Sequence, residues 1–155
     1  MMKDPLSAGD ICSRIVTIGY PTMALGDAAR LMRQRHVGCL VVVEEVSAKE
    51  SLVVGVLTDR DIAMGVVAAD RDPHSLRVAD LMTKDVVTAR EEDSLLDLLA
   101  TMRRRKVRRI PVTGARNVLI GIVSIDDVME VVAQQMQAIA AAVTAAATHE
   151  RTELP

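Results

Sequence analysis

Two stretches of this 155-residue chain carry the same pattern. Asp10, Ile11 and Cys12 answer to Asp80, Leu81 and Met82, and Ile15, Val16 and Thr17 answer to Val86, Val87 and Thr88. A helical spacing follows in both copies: Leu25, Ala28, Ala29 and Met32 in the first, Leu95, Leu98, Leu99 and Met102 in the second. Apolar residues at i, i+3, i+4 and i+7 give each helix one face to bury. Next come short apolar runs rich in β-branched residues, Val37 to Val43 and Val107 to Val112, too short for helices and read as strands. A polar connection then leads to a second strand that runs into a helix. It spans Glu44 to Ser51 in the first copy and the shorter Thr113 to Asn117, with Gly114 as its turn residue, in the second. Across it the offset between copies falls from about 70 to 66 residues. A unit of about 60 residues buries too little surface to stand alone, so the halves are expected to pack face to face around a common core with twofold pseudosymmetry.

The expectation is therefore an α/β (α+β) fold of two strand-helix-strand-strand-helix repeats with an extended C-terminal helix. Residues 1–9 form a tail, 10–70 the first repeat, 71–77 a linker around Pro73, 78–134 the second repeat and 135–155 a helical extension and tail. Half of the residues are hydrophobic but Tyr20 is the only aromatic, so the core must be aliphatic. A formal net charge of -2 supplies no global attraction to nucleic acid or an anionic membrane. No apolar run follows Lys3 as in a secretory signal, and no uncharged stretch approaches the roughly 18–20 apolar residues that span a bilayer, which points to a soluble, cytoplasmic protein. Cys12 and Cys39, with no CxxC and no paired histidine, read as apolar fillers in a reducing compartment.

Each copy closes on Gly-x-aliphatic-Thr/Ser-x-x-Asp: Gly55, Leu57, Thr58 and Asp61, then Gly121, Val123, Ser124 and Asp127. Two readings fit this motif. A hydroxyl followed three residues later by a carboxylate is a capping box, which closes the first turn of a helix and needs no ligand. The same junction offers free N–H groups and a positive dipole end to a phosphate, and a carboxylate that accepts from a ribose diol.

The whole pattern, roughly residues 10 to 134, resembles a CBS domain pair, also called a Bateman module. The resemblance implies that an adenosine compound, AMP, ADP or ATP above all, is held as a regulatory ligand in the cleft between repeats, with no required cofactor. It assigns the ribose hydroxyls to Asp61 and Asp127, a place beside ribose or phosphate to Thr58 and Ser124, and the adenine pocket to Thr17 and Thr88. Lys106-Val107-Arg108-Arg109-Ile110-Pro111-Val112 is similar to a family stretch whose basic residues contact phosphate. Arg109 matches directly, while Arg108 stands where a histidine is frequent and keeps the charge without a pH switch. The first copy has Val37-Gly38-Cys39-Leu40-Val41 there, with no basic group, so unequal sites are expected. The family habit of pairing two modules into a disc implies a homodimer, and with no fused catalytic domain any regulated target is a separate protein. The rival reading is a protein-interaction module with degenerate nucleotide sites.

Residues 103 to 109 hold six basic residues in seven, open to three readings: a helix end favoured by its dipole, a phosphate site, or a nucleic-acid patch. The acidic total charge and the lack of aromatic stacking platforms disfavour the last. His36, His74 and His149 show no metal-ligand spacing, and neither a nucleophile triad, a paired carboxylate, a GxGxxG nor a P-loop is present, so the expectation is not an enzyme. Beyond Val132 an Ala-rich helix continues, with Val128, Val132, Met136, Ile139 and Val143 in a narrow apolar stripe that could pack on the module, pair with another copy or fray.

Overall fold

A computed structural model describes residues 6–153. Each repeat opens with a short helix that the sequence pattern did not signal, α1 (Ala8–Ile11) in the first and α4 (Val78–Leu81) in the second. Three strands follow in each: β1 (Ile18–Gly19), β2 (Cys39–Ser47) and β3 (Glu50–Thr58), then β4 (Ala89–Arg90), β5 (Arg109–Thr113) and β6 (Leu119–Ser124). The sheets have orders β1-β2-β3 and β4-β5-β6, with a parallel first pair and an antiparallel second pair. The parallel crossovers are made by α2 (Leu25–Arg35) and α5 (Leu95–Arg105), which bury Leu25, Ala28 and Met32, and Leu98 and Met102, as their spacing requires. The strands expected at Ile15 to Thr17 and Val86 to Thr88 form only at Ile18–Gly19 and Ala89–Arg90.

Two connections differ from expectation. Glu44 to Ser51 is not a loop, because β2 runs on to Ser47 and β3 starts at Glu50, leaving only residues 48 and 49 as the turn. Its charged residues suit an antiparallel ribbon that faces water, and Tyr20 donates its hydroxyl proton to Glu45 at 2.7 Å there. In the second repeat the left-handed turn residues are Arg116 (φ 56°) and Asn117 (φ 64°), not Gly114.

The repeats do not share one common core. Ala8, fully buried, belongs to the second repeat's cluster with Ala89, Leu98, Met102, Ile110 and Val123. Its N–H donates to the Asp93 carbonyl at 2.8 Å, and that of Gly9 to Glu91 at 2.9 Å. Ser13 and Ile122 then exchange two backbone bonds of 2.9 Å. Symmetrically, Leu76 and Val78 complete the first repeat's cluster around Leu25, Leu40 and Leu57, while Thr83 and Val56 exchange bonds of 2.9 and 3.1 Å. The leading segment of each repeat thus plugs the other repeat. A third layer, Val41, Val43 and Val53 against Val16, Ile18, Val86, Leu119 and Ile122, joins the two sheets.

The motif glycines serve this exchange by absence of bulk, since no described glycine has a positive φ. An ideal Cβ on Gly121 would lie 2.6 Å from the Ser13 carbonyl oxygen and 2.7 Å from Cys12 Sγ, and one on Gly55 would lie 2.7 Å from Met82 Sδ.

Past the motif the repeats diverge. The first ends in α3 (Asp59–Ile62) and a π-helical turn, Ala63–Val67, whereas the second ends in α6 (Ile125–Glu153), a 29-residue helix. Val128 is buried, but Val132, Met136, Ile139 and Val143 are 40 to 66% exposed, so the stripe faces outward. No helix among the described residues is long and apolar enough to cross a membrane.

Candidate functional site

Both hydroxyl-acid pairs are capping boxes. Thr58 Oγ1 accepts from the Asp61 N–H at 3.1 Å while Asp61 Oδ2 accepts from the Thr58 N–H at 2.8 Å. Ser124 and Asp127 repeat this at 3.1 and 2.7 Å. Helix initiation alone therefore accounts for these residue types. In each box the second carboxylate oxygen makes no hydrogen bond or ion pair among the described residues. Each box also opens onto a cleft.

The larger cleft, about 250 Å³, lies at the N-terminus of α6. Its walls are Ser124, Asp127 and Ile122 of the second repeat, Ser13, Ile15, Val16 and Thr17 of the segment before β1, and residues 36–39 where α2 turns into β2. The smaller, about 160 Å³, is its pseudosymmetric counterpart: Thr58, Asp61 and Val56 face Thr83, Asp85, Val86 and Val87, with Val107 and Pro111 beside them. Residue by residue the correspondence runs Ser13 to Thr83, Ile15 to Asp85, Thr17 to Val87, Cys39 to Arg109, Thr58 to Ser124 and Asp61 to Asp127. Arg109 lines both clefts.

The structure therefore brings Thr17, Ser124, Asp127 and Arg109 together in one cleft and Thr58, Asp61 and Arg109 in the other. It does not bring in Thr88. The strand pairing Gly19↔Val42 and Ala89↔Val112 equates Gly19 with Ala89, hence Thr17 with Val87 and Thr88 with Ile18. Matching Thr17 to Thr88 is a slip of one residue, and in extended chain one residue reverses the face. Thr88 lines a separate polar cavity with Arg90, Glu92 and Arg116. Arg108 lines neither cleft; its side chain is exposed, and its carbonyl accepts from the Ile125 N–H at 2.8 Å, helping to start α6.

Several lining residues, Ser13, Ile15, His36, Thr83 and Asp85 among them, escaped the sequence reading. Ser13 and Ile15 enter through the exchange of segments, which no local spacing reveals. His36 ends α2 in the left-handed conformation (φ 54°), which places it at the mouth of the larger cleft. Among the described residues no group of three or more His, Cys, Asp or Glu is arranged to hold a metal ion. Burial pushes the Cys39 thiol up to about 11; Arg109 opposes that shift, and Asp61 and Asp59 add to it.

The CBS domain model matches residues 8–67 and again 78–134. The chain belongs to the CBS domain family. The matched spans start at α1 and α4, so the exchanged segments are part of each CBS repeat. Among relatives, CBS domain-containing protein YhcV of Bacillus subtilis is 35% identical over 121 residues, 78% of this chain and 81% of its own. Protein MK0525 of Methanopyrus kandleri is 29% identical over 126 residues, 81% of this chain but only 62% of its own length. The CBS domain pair of protein MJ0100, solved with 5'-methylthioadenosine and S-adenosyl-L-methionine, superposes with a TM-score of 0.72 at 22% identity, covering 83% of this chain and 97% of that one. That likeness establishes the fold of the CBS pair.

Proposed function

We propose that this CBS pair is a non-catalytic sensor that binds an adenosine nucleotide, AMP, ADP or ATP, in the cleft at the N-terminus of α6. One observation carries the reading: a single cavity gathers Thr17, Ser124, Asp127 and Arg109, and Asp127 keeps a carboxylate oxygen outside its capping bond. Asp127 would accept from the ribose hydroxyls, Thr17 would face the base, and Arg109 with the helix dipole would meet the phosphate. About 250 Å³ is below the roughly 300 Å³ at which small-molecule sites begin, so the cleft encloses base and ribose and leaves phosphates toward solvent. The adenosyl ligands of MJ0100 support the ligand class. Because the cleft walls come from both repeats, occupancy favours the arrangement that closes them together, and a ligand shifts only states it binds unequally. Free Cys12 and Cys39 agree with a reducing cytoplasm.

Asp127→Asn tests this reading against capping alone. The amide oxygen still accepts from the Ser124 N–H, but the carboxylate acceptor for a ribose diol is gone. In a thermal-shift panel of AMP, ADP and ATP, a binder at 100 times its Kd contributes about 2.7 kcal/mol of stability. The variant should melt near the native chain without ligand and bind 10- to 100-fold more weakly, the loss expected for about 1.5–3 kcal/mol of hydrogen bonding to a charged group. If no adenosine compound moves the native melting curve, the boxes are caps and nothing more.

The same proposal includes a homodimer. Met129, Val132, Met136, Ile139 and Val143 recur at alternating steps of three and four, and no Asp, Glu, Lys or Arg stands between Glu130 and Glu150 to oppose pairing of two such helices. Light scattering on the eluting protein should give twice the chain mass, and Ile139→Glu should return it to one chain. A native mass of one chain removes the dimer.

A further inference from the structure

We infer that the two clefts compete for one cation, so that each chain holds a single phosphorylated adenosine ligand and its second cleft accepts only an unphosphorylated adenosyl compound. The inference rests on the nucleotide reading above and adds the stoichiometry and the selectivity of each cleft. Arg109 lines both clefts, and among the described residues no other arginine or lysine lines either. Its pseudosymmetric position in the first repeat is held by Cys39, which pairs with Thr58 across β2 and β3 as Arg109 pairs with Ser124 across β5 and β6. Where symmetry would place two guanidinium groups, the chain has one.

The remaining charges make a second phosphate costly. Each cleft carries one motif carboxylate, Asp61 or Asp127, and the smaller adds Asp85, to which Arg105 is already paired at 2.8 Å. A phosphate dianion in each cleft would leave one of them beside carboxylates with no guanidinium in the cleft lining, since Arg105 is engaged with Asp85 from outside it. A guanidinium is planar and forks onto one anion at a time, so turning toward one cleft withdraws its donors from the other. The larger cleft has the further advantages of the long α6 N-terminus and of His36 at its mouth, while Ile15 stands where the smaller cleft has Asp85. Phosphate is therefore retained by the larger cleft. The smaller one, walled by Val56, Val86, Val87, Val107 and Pro111, keeps the ribose acceptor Asp61 and suits adenosine or a thioether analogue.

Calorimetric titration of the full chain tests this with AMP and adenosine as probes. The native protein should bind one AMP per chain, and one further equivalent of adenosine once AMP is saturating. Cys39→Arg restores the absent cation and should raise AMP uptake to two per chain, the second with at least tenfold higher affinity than in the native protein. Arg109→Gln, which leaves both clefts without a guanidinium, should lower AMP affinity at least tenfold, to that of adenosine measured on the same variant. It decides the matter alone if Cys39→Arg fails to fold. Two AMP molecules binding the native chain with affinities within threefold would overturn the inference, as would an undiminished preference for AMP in Arg109→Gln. If adenosine binds and AMP is not preferred, Arg109 sharing fails while the nucleoside site stands; if neither binds, the nucleotide reading fails and the inference with it.

Discussion

Gly121→Ala should cost about 3–5 kcal/mol of folding stability, and Gly55→Ala, at the same motif position in the other repeat, only about 1 kcal/mol. The difference lies in what each new methyl meets. At Gly121 it would stand 2.6 Å from the Ser13 carbonyl oxygen, a backbone atom held in two reciprocal bonds with Ile122. Relief requires the exchanged segment to lift off β6, which sacrifices those bonds at about 1 kcal/mol each and adds an overpacking cost of about 1–3 kcal/mol. At Gly55 the nearest atoms are Sδ and Cγ of Met82, the flexible end of a side chain, and the Thr83 carbonyl oxygen is farther off at 3.2 Å. Methionine can take another rotamer. Chemical denaturation of the two variants reads the difference directly. Equal costs, or a loss below about 1 kcal/mol for Gly121→Ala, would mean that the segment does not press on the glycine as the structure has it. Both glycines lie next to the cleft walls, since Ile122 and Val56 line them, so the close approach that excludes a Cβ also brings Ser13 and Thr83 to the clefts.

The duplication is legible because the spacing of Leu25, Ala28 and Met32 returns in Leu95, Leu98 and Met102, and helical burial follows spacing directly. The capping boxes are legible for the same local reason, as Thr58 with Asp61 and Ser124 with Asp127 act within one turn. Thr88 was misplaced because Val-Thr occurs at both 16–17 and 87–88, and a two-residue match in extended chain cannot fix register. Arg108 and Arg109 are chemically alike in sequence, and only the start of β5 at Arg109 decides which one faces the clefts. The exchange of leading segments is a different kind of omission. Ala8, Ile11 and Cys12 and their counterparts Val78, Leu81 and Met82 are apolar residues that either repeat could bury, because duplicated repeats present similar surfaces. Chain order does not say which of two similar cores a segment enters; the reach of the loops after it does.

That exchange has the second large consequence. Deleting residues 1–13 should destabilise the second repeat, which begins some 65 residues later in the chain, rather than the first. The deletion removes fully buried Ala8 and partly buried Ile11 and Cys12 from the cluster that holds Leu98, Ile110 and Val123. It also removes both bonds to Ile122. With the bonds from Ala8 to Asp93 and from Gly9 to Glu91, four backbone bonds at about 1 kcal/mol each and burial of one large and two small side chains at about 2–3 kcal/mol together give a loss of about 6–7 kcal/mol. Against an ordinary total of about 5–15 kcal/mol this is enough to leave the second repeat open in part of the population. Deleting residues 143–155, the same number, removes helix whose described side chains, 143–152, are exposed and should cost below about 1 kcal/mol. Hydrogen exchange resolved by residue separates the repeats: protection in the N-terminal deletion should fall in β5 and β6 and persist in β2 and β3. Loss centred instead on the first repeat would show that residues 8–13 serve their own repeat, and with that Ser13 would no longer stand against Ile122 in the wall of the larger cleft.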